Sequence, residues 1–257
     1  MSLSADRKPT FGRILIAGIL AGLIAGLLAG TFAFFAGEPR VDTAIAIEEQ
    51  NALAHGESGG EELVSRDTQK HVGLPLATGL YGMAVGGFLA VAYTLLRRRL
   101  RTGSDTRAAL GLAGAGLLGI VIVPFLKYPP NPPAVGDPAT INQRTLSYLA
   151  VLALGLVAVW AGVVAARTQT HEWRRATAGL AGFLVVVTVA YLLLPTIDEV
   201  PATFPAVLLW KFRLASLGTQ VVLWSVLGLA FAGLLNRLAT RSANPAAAPA
   251  AVATADA

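Results

Sequence analysis

The chain has no cysteine among its 257 residues, which excludes disulfides, thiolate metal sites and cysteine nucleophiles. Methionine is almost as scarce: Met1 and Met83 are the sole thioethers, so copper(I)-type soft-metal chemistry has almost no ligands. No G-x-x-x-x-G-K-[ST] phosphate loop is present, so the chain cannot power transport by hydrolysing ATP on its own. No H-E-x-x-H, Ser/His/Asp arrangement or paired intramembrane carboxylate is readable either, and an intramembrane enzyme lacks its catalytic groups. Charge is the most telling shortage. Charged residues make up 14% of the chain, against about a quarter in soluble domains, too few to coat a water-facing surface. What is there instead is apolar, 54% of residues, gathered into long uncharged runs.

A bilayer core of about 30 Å needs about 20 mostly apolar residues per helix. Six runs qualify: Ile14–Ala36, Leu74–Leu96, Ala108–Leu126, Leu146–Ala166, Ala176–Pro195 and Leu214–Leu235. Lipid cannot satisfy backbone N–H and C=O groups, so such runs are expected to be helices, and the lack of alternating polar residues excludes a β-barrel. The expected fold is an all-α polytopic membrane helix bundle, a single domain over 1–241. The Ala/Pro-rich stretch 242–257 is expected as a disordered cytoplasmic tail. The first run exceeds a signal peptide's apolar region and no clear cleavage site follows it, so it is read as a span.

Charge sets the expected orientation. Arg7, Lys8, Arg13, Arg97, Arg98, Arg99, Arg101, Arg107, Arg167, Arg174, Arg175, Arg237 and Arg241 all fall on one side of such a bundle. Basic-rich loops belong in the cytoplasm, which places both termini inside, in a bacterial inner membrane. Acidic residues favour the other side, in the outer loop 37–71 and beside the later spans. The net charge of +5 therefore reflects topology and anionic inner-leaflet lipid, and nucleic acid is not required as a partner.

In the first run Gly18, Gly22, Gly26 and Gly30 recur every fourth residue, a smooth strip for close helix packing or for docking a second subunit. Gly114-Ala115-Gly116-Leu117-Leu118-Gly119 matches G-x-G-x-x-G, but inside a span it has no preceding strand and is not a nucleotide loop. The last run carries a polar stripe of Arg213, Ser216 and Gln220. Two readings fit it: a pathway lining near the outer surface, with Asp198 and Glu199 as partners of Arg213, or Lys211 and Arg213 reaching outer headgroups behind Trp210 while Gln220 bonds a neighbouring helix. Lys127-Tyr128-Pro129-Pro130-Asn131-Pro132-Pro133 cannot be helical and is expected as a stiff extended cap.

The outer loop is the most polar segment. Asp42 is expected to cap a short helix through Ala54, on which Glu48, Asn51 and His55 share a face. Glu38, Glu49, Glu57, Glu61, Glu62 and His71 add further carboxylate and imidazole, which suit Co²⁺, Ni²⁺ or Zn²⁺. The spacing matches no defined metal motif, and a plainly solvated acidic loop is the other reading.

Taken together the sequence resembles the CbtA family of proposed cobalt transporter subunits. The resemblance is carried by the first helix ending in Gly37-Glu38-Pro39 and by Gly79-Leu80-Tyr81-Gly82-Met83-Ala84-Val85-Gly86-Gly87. It continues through Pro124-Phe125-Leu126-Lys127-Tyr128-Pro129-Pro130-Asn131-Pro132-Pro133-Ala134-Val135-Gly136, Arg144 and Tyr148. Leu194-Pro195, Pro201-Ala202-Thr203-Phe204-Pro205, Leu208-Leu209-Trp210-Lys211-Phe212-Arg213 and Ser216 complete it. The resemblance implies a membrane subunit for cobalt uptake serving cobalamin synthesis, with Co²⁺ as the transported ion and no tightly bound cofactor. It also implies a small CbtB-like membrane partner that carries a histidine-rich metal site. On this reading Glu38, Glu48, Glu49, His55 and His71 capture the ion, and Lys127, Tyr128, Asn131, Asp198, Glu199, Trp210 and Arg213 shape an outer vestibule. The competing reading is a non-transporting membrane scaffold or assembly protein, possible in oligomeric form, with the glycine strips as docking surfaces.

Overall fold

The computed structural model describes residues 9–56, 64–100, 102–133 and 135–243. Arg7, Lys8, Glu57, Glu61, Glu62, Arg101, Ala134 and the tail beyond Ala243 lie outside the described residues. Within them the chain is all-helical, with no strand. Helix α1 is Phe11–Ala36, α2 Glu38–Ala54, α3 Arg66–Leu96, α4 Asp105–Lys127, α5 Pro138–Arg167, α6 Glu172–Leu193 and α7 Ala206–Ala243. All of these except α2 are long and apolar enough to cross a membrane, which gives six candidate spans.

The expected runs sit inside longer helices, because α3, α4, α5 and α7 continue past the hydrocarbon-length stretch into polar turns. Helix α6 stops earlier than the expected Pro195. Leu194, the residue before that proline, is already extended, as proline forces on its predecessor.

Packing is centred on α1, which lies against α3 on one side and α7 on the other, while α4 closes onto α7. Gly18, Gly22 and Gly26 of α1 meet Gly86, Gly82 and Thr78 of α3 backbone to backbone. A Cβ on Gly22 would overlap the carbonyl of Gly82, and one on Gly82 would overlap that of Gly22. Gly30 faces the Thr78 hydroxyl. Lipid tails are as apolar as leucine, so this approach gains from van der Waals contact and not from leaving water. At the end holding the N-terminus of α1, larger side chains take over. Ile14, Leu89, Tyr93, Trp224, Leu227, Phe231 and Leu235 form a buried cluster, with the Tyr93 and Phe231 rings edge-to-face at 5.6 Å. Helix α6 packs against α5 and is otherwise almost wholly exposed.

Two π turns interrupt the spans, Gln69–Gly73 in α3 and Leu117–Ile122 in α4. Each lies just before a proline, Pro75 and Pro124. A proline inside a helix lacks its N–H and crowds the carbonyl four residues back, and one wide turn relieves that crowding. The G-x-G-x-x-G segment runs into the second of these turns, and its glycines pack: Gly116 against Trp224, Gly119 against Gly155.

The outer loop differs from its expectation. Asp42 does not cap α2, which begins earlier at Glu38 with Pro39 in its first turn, where proline's fixed φ suits a helix start. The Asp42 carboxylate instead accepts from Lys70 and, at 3.2 Å, from Arg66 Nε, while Glu38 accepts from Arg66 Nη2. These pairs clasp α2 to the first turns of α3. The Lys70 hydrogen bond, helped by Arg66, holds the Asp42 carboxyl below its ordinary pKa despite partial burial.

Candidate functional site

A cavity of about 910 Å³ opens between α3, α4, α5 and α7 at the end of the bundle where α1 meets α2. Its roof is the proline-rich strap, Tyr128 to Asn131, and the Thr196–Val200 connection between α6 and α7. Its walls are Tyr81, Tyr148, Phe125 and Leu152, and its floor reaches Ile120 and Val121 in the α4 π turn and Gln220 in α7. From Arg213 at the rim to Gln220 is seven helical residues, a depth of about 10 Å.

The strap is held by side chains whose residue types suit carbonyl and carboxylate partners. Proline blocks have no N–H to build a helix or ladder, so their carbonyls are left for outside donors. Arg213 Nη2 donates to Asn131 Oδ1 at 2.9 Å and Nε to the Pro130 carbonyl at 3.4 Å. The Tyr128 hydroxyl donates to the Pro195 carbonyl at 2.7 Å, tying the strap to the end of α6. Arg144 Nη1 lies 3.0 Å from Glu199 Oε2, and the same carboxylate accepts from the Asp137 N–H at 3.1 Å and from the Thr140 hydroxyl. Gly136 sits beside this pair at φ +132°, where a Cβ would run into the Arg144 guanidinium, so both the backbone angle and the space call for glycine.

Two features are left over once those contacts are made. Asp198, at the mouth, has no ion pair or hydrogen bond among the described residues and senses Arg213 across the opening. Gln220 Oε1, at the floor, is buried with no hydrogen-bond partner, and so is Trp224 Nε1 one turn further in. A buried unpaired amide oxygen is costly, and such groups mark places where a ligand or water belongs.

A match over residues 11–236 to the family described as probable cobalt transporter subunit (CbtA) decides the kinship. The chain belongs to the CbtA family. No curated relative and no solved structure matches it. The family description makes the CbtA chain a subunit, and with six candidate spans it is a multi-pass membrane protein.

Of the residues singled out in the CbtA sequence, Tyr128, Asn131, Asp198, Glu199, Arg213, Ser216 and Gln220 all line this one cavity. Their pairing differs from expectation. Glu199 serves Arg144 on α5, and the Arg213 guanidinium turns inward to the strap instead of reaching outward. Gln220 Oε1 bonds no neighbouring helix. Lys127 stands aside from the lining and donates to the Tyr191 carbonyl at 2.9 Å, with its ammonium over the Tyr128 and Tyr191 rings. Trp210 is exposed on the bundle surface.

The remaining five acidic and imidazole groups do not converge: among the described residues no three His, Asp or Glu side chains are placed to hold a metal ion. Glu38 is engaged by Arg66, the His55 ring by the Asn51 carbonyl at 2.7 Å, and the His71 ring by Asp67 at 3.1 Å; Glu48 and Glu49 stand exposed on α2. Arg144, Tyr81 and Tyr148 were given no site role from the sequence, although all three stand in the blocks that carried the family resemblance.

Proposed function

We propose that this chain is a membrane subunit for uptake of a divalent cation, Co²⁺, across a bacterial inner membrane, with both termini in the cytoplasm. It acts as a transport component and not as an enzyme. The carrying observation is a cavity with oxygen donors at mouth and floor, Asp198, Ser216 and Gln220, at the acid-rich end of a chain matched to a cobalt transporter subunit family. Co²⁺ accepts carboxylate, amide and hydroxyl oxygen, and a site with one uncommitted carboxylate holds such an ion weakly, which suits passage over storage. Glu48, Glu49 and His55 on α2, with Glu38 and His71 in the clasp beside it, would raise the local cation concentration by their field without forming a chelating cage. The stronger nitrogen ligands would come from a small CbtB-like membrane partner rich in histidine, and the imported metal would serve cobalamin synthesis.

The test is cobalt uptake by cells or vesicles carrying this chain with its companion, with Ni²⁺ and Zn²⁺ in parallel. Asp198→Asn and Gln220→Leu should each lower the Co²⁺ uptake rate by about tenfold, the order expected for losing one ligand to a charged species. Replacing Glu48, Glu49 and His55 together by Ala should raise the Co²⁺ concentration needed for half-maximal rate and leave the maximal rate alone. Full uptake by both cavity variants, with the complex intact, would point to a scaffold and end the transport reading.

A further inference from the structure

At the opposite end of the bundle a second cavity of about 530 Å³ opens on the lipid-facing surface between α1 and α7. Its lining is split by chemistry. Arg13 and Arg237 form the head; Ile16, Ala17, Leu20 and Leu234 form the body. On α1 these residues stand at i, i+3, i+4 and i+7, one helix face, and on α7 at i and i+3, so the two arginines sit level and the apolar part runs inward by about 10 Å. Both arginine side chains are exposed and make no ion pair or hydrogen bond among the described residues, although Arg97 at the same end finds Asp105.

We propose that this groove is a binding site for one anionic phospholipid of the surrounding leaflet. Its phosphate is held by the Arg13 and Arg237 guanidinium groups, and its acyl chain lies along Ile16, Leu20 and Leu234. Guanidinium forks match phosphate oxygens bidentately, and two unpaired forks facing one opening supply charge complementarity for a single anionic head. The apolar body singles out a lipid over free phosphate, which has nothing to place there. An acidic peptide would need both a charged and a membrane-buried segment, whereas the leaflet already offers a molecule with both parts at this depth. Arg98, Arg99, Arg107, Arg167, Arg174 and Arg175 share this end, so the local field enriches anionic lipid around the groove.

The experiment is native mass spectrometry of the full chain after exposure to phosphatidylglycerol or phosphatidylcholine micelles. The expected result is a one-to-one phosphatidylglycerol adduct, retained in preference to phosphatidylcholine, that inorganic phosphate does not displace. Arg13→Gln with Arg237→Gln should cut that preference by roughly tenfold or more, about the weight of two interfacial arginines. Arg98→Gln with Arg99→Gln should leave it in place. If the paired glutamine variant does not fold, Arg13→Gln and Arg237→Gln made singly carry the same comparison. No lipid preference in the unmodified chain, equal loss in the Arg98/Arg99 variant, or displacement by inorganic phosphate would each overturn the proposal.

Discussion

Arg144 at the start of α5 and Glu199 in the α6–α7 connection meet at 3.0 Å across 55 residues of sequence, and their ion pair closes one side of the cavity roof. The Glu199 side chain is 10% exposed and accepts two further hydrogen bonds, so its charge is well committed. Glu199→Gln should lower stability by about 1–3 kcal/mol, the range for hydrogen bonds involving a charged partner. Thermal unfolding in detergent measures it, and a double-mutant cycle with Arg144→Gln should return a coupling of at least about 0.5 kcal/mol. Strictly additive losses would show that the two residues do not act together.

Arg213 makes a directional fork on the strap, through Asn131 and Pro130, that an ammonium cannot reproduce. Arg213→Lys keeps the charge at the rim yet should slow cobalt uptake by about tenfold and speed hydrogen exchange in residues 128–133. Normal exchange in the lysine variant would mean that the strap is held without Arg213.

The glycines divide by what surrounds them. Gly22→Ala pushes a methyl into the Gly82 carbonyl and should cost about 1–3 kcal/mol, with a larger loss for Gly22→Leu. Gly111→Ala and Gly114→Ala enter open space, so helix propensity alone should stabilise the chain by up to about 1 kcal/mol. Unfolding temperatures of the four variants test the contrast, and equal effects at Gly22 and Gly111 would contradict the packing described for α1 and α3.

Acid should release the clasp on α2. Asp42 is held below its ordinary pKa chiefly by the Lys70 hydrogen bond, so its contribution is fully present above the unfolded value of about 4 and fades as pH falls through the lower folded value. Spin-label distances between α2 and the start of α3 should therefore stay constant from pH 7 to 5 and lengthen below about 4. Asp42→Asn should show the longer distance at every pH. A transition near neutrality would assign the clasp to another group.

The spans, the close-packed face of α1 and the non-helical strap were legible in the sequence because each is a local property: hydropathy over one helix length, a four-residue glycine spacing, a run of prolines. The seven cavity residues named from sequence were found for a similar reason, since each lies in the strap, beside a span end or on one stripe of α7. Pairing was not legible. Asp42 looked like a cap because its local position allowed it, but Lys70 and Arg66, more than twenty residues away, took its carboxylate. Arg144 and Glu199 are further apart still, and nothing local tells an arginine at a span end which carboxylate it will meet. The π turns escaped because the strain that creates them shows up as one wide turn before Pro75 or Pro124, without a change in hydropathy.

The wide turn at Leu117–Ile122 has a genetic consequence. It houses one residue more than a regular helix would take over the same rise, so the spelling of this stretch is sensitive to length before identity. An in-frame loss of a single codon there would swing everything downstream by about 100°, carrying Lys127 and Tyr128 off their Tyr191 and Pro195 anchors. Missense changes between leucine, isoleucine and valine in the same stretch leave that phase untouched.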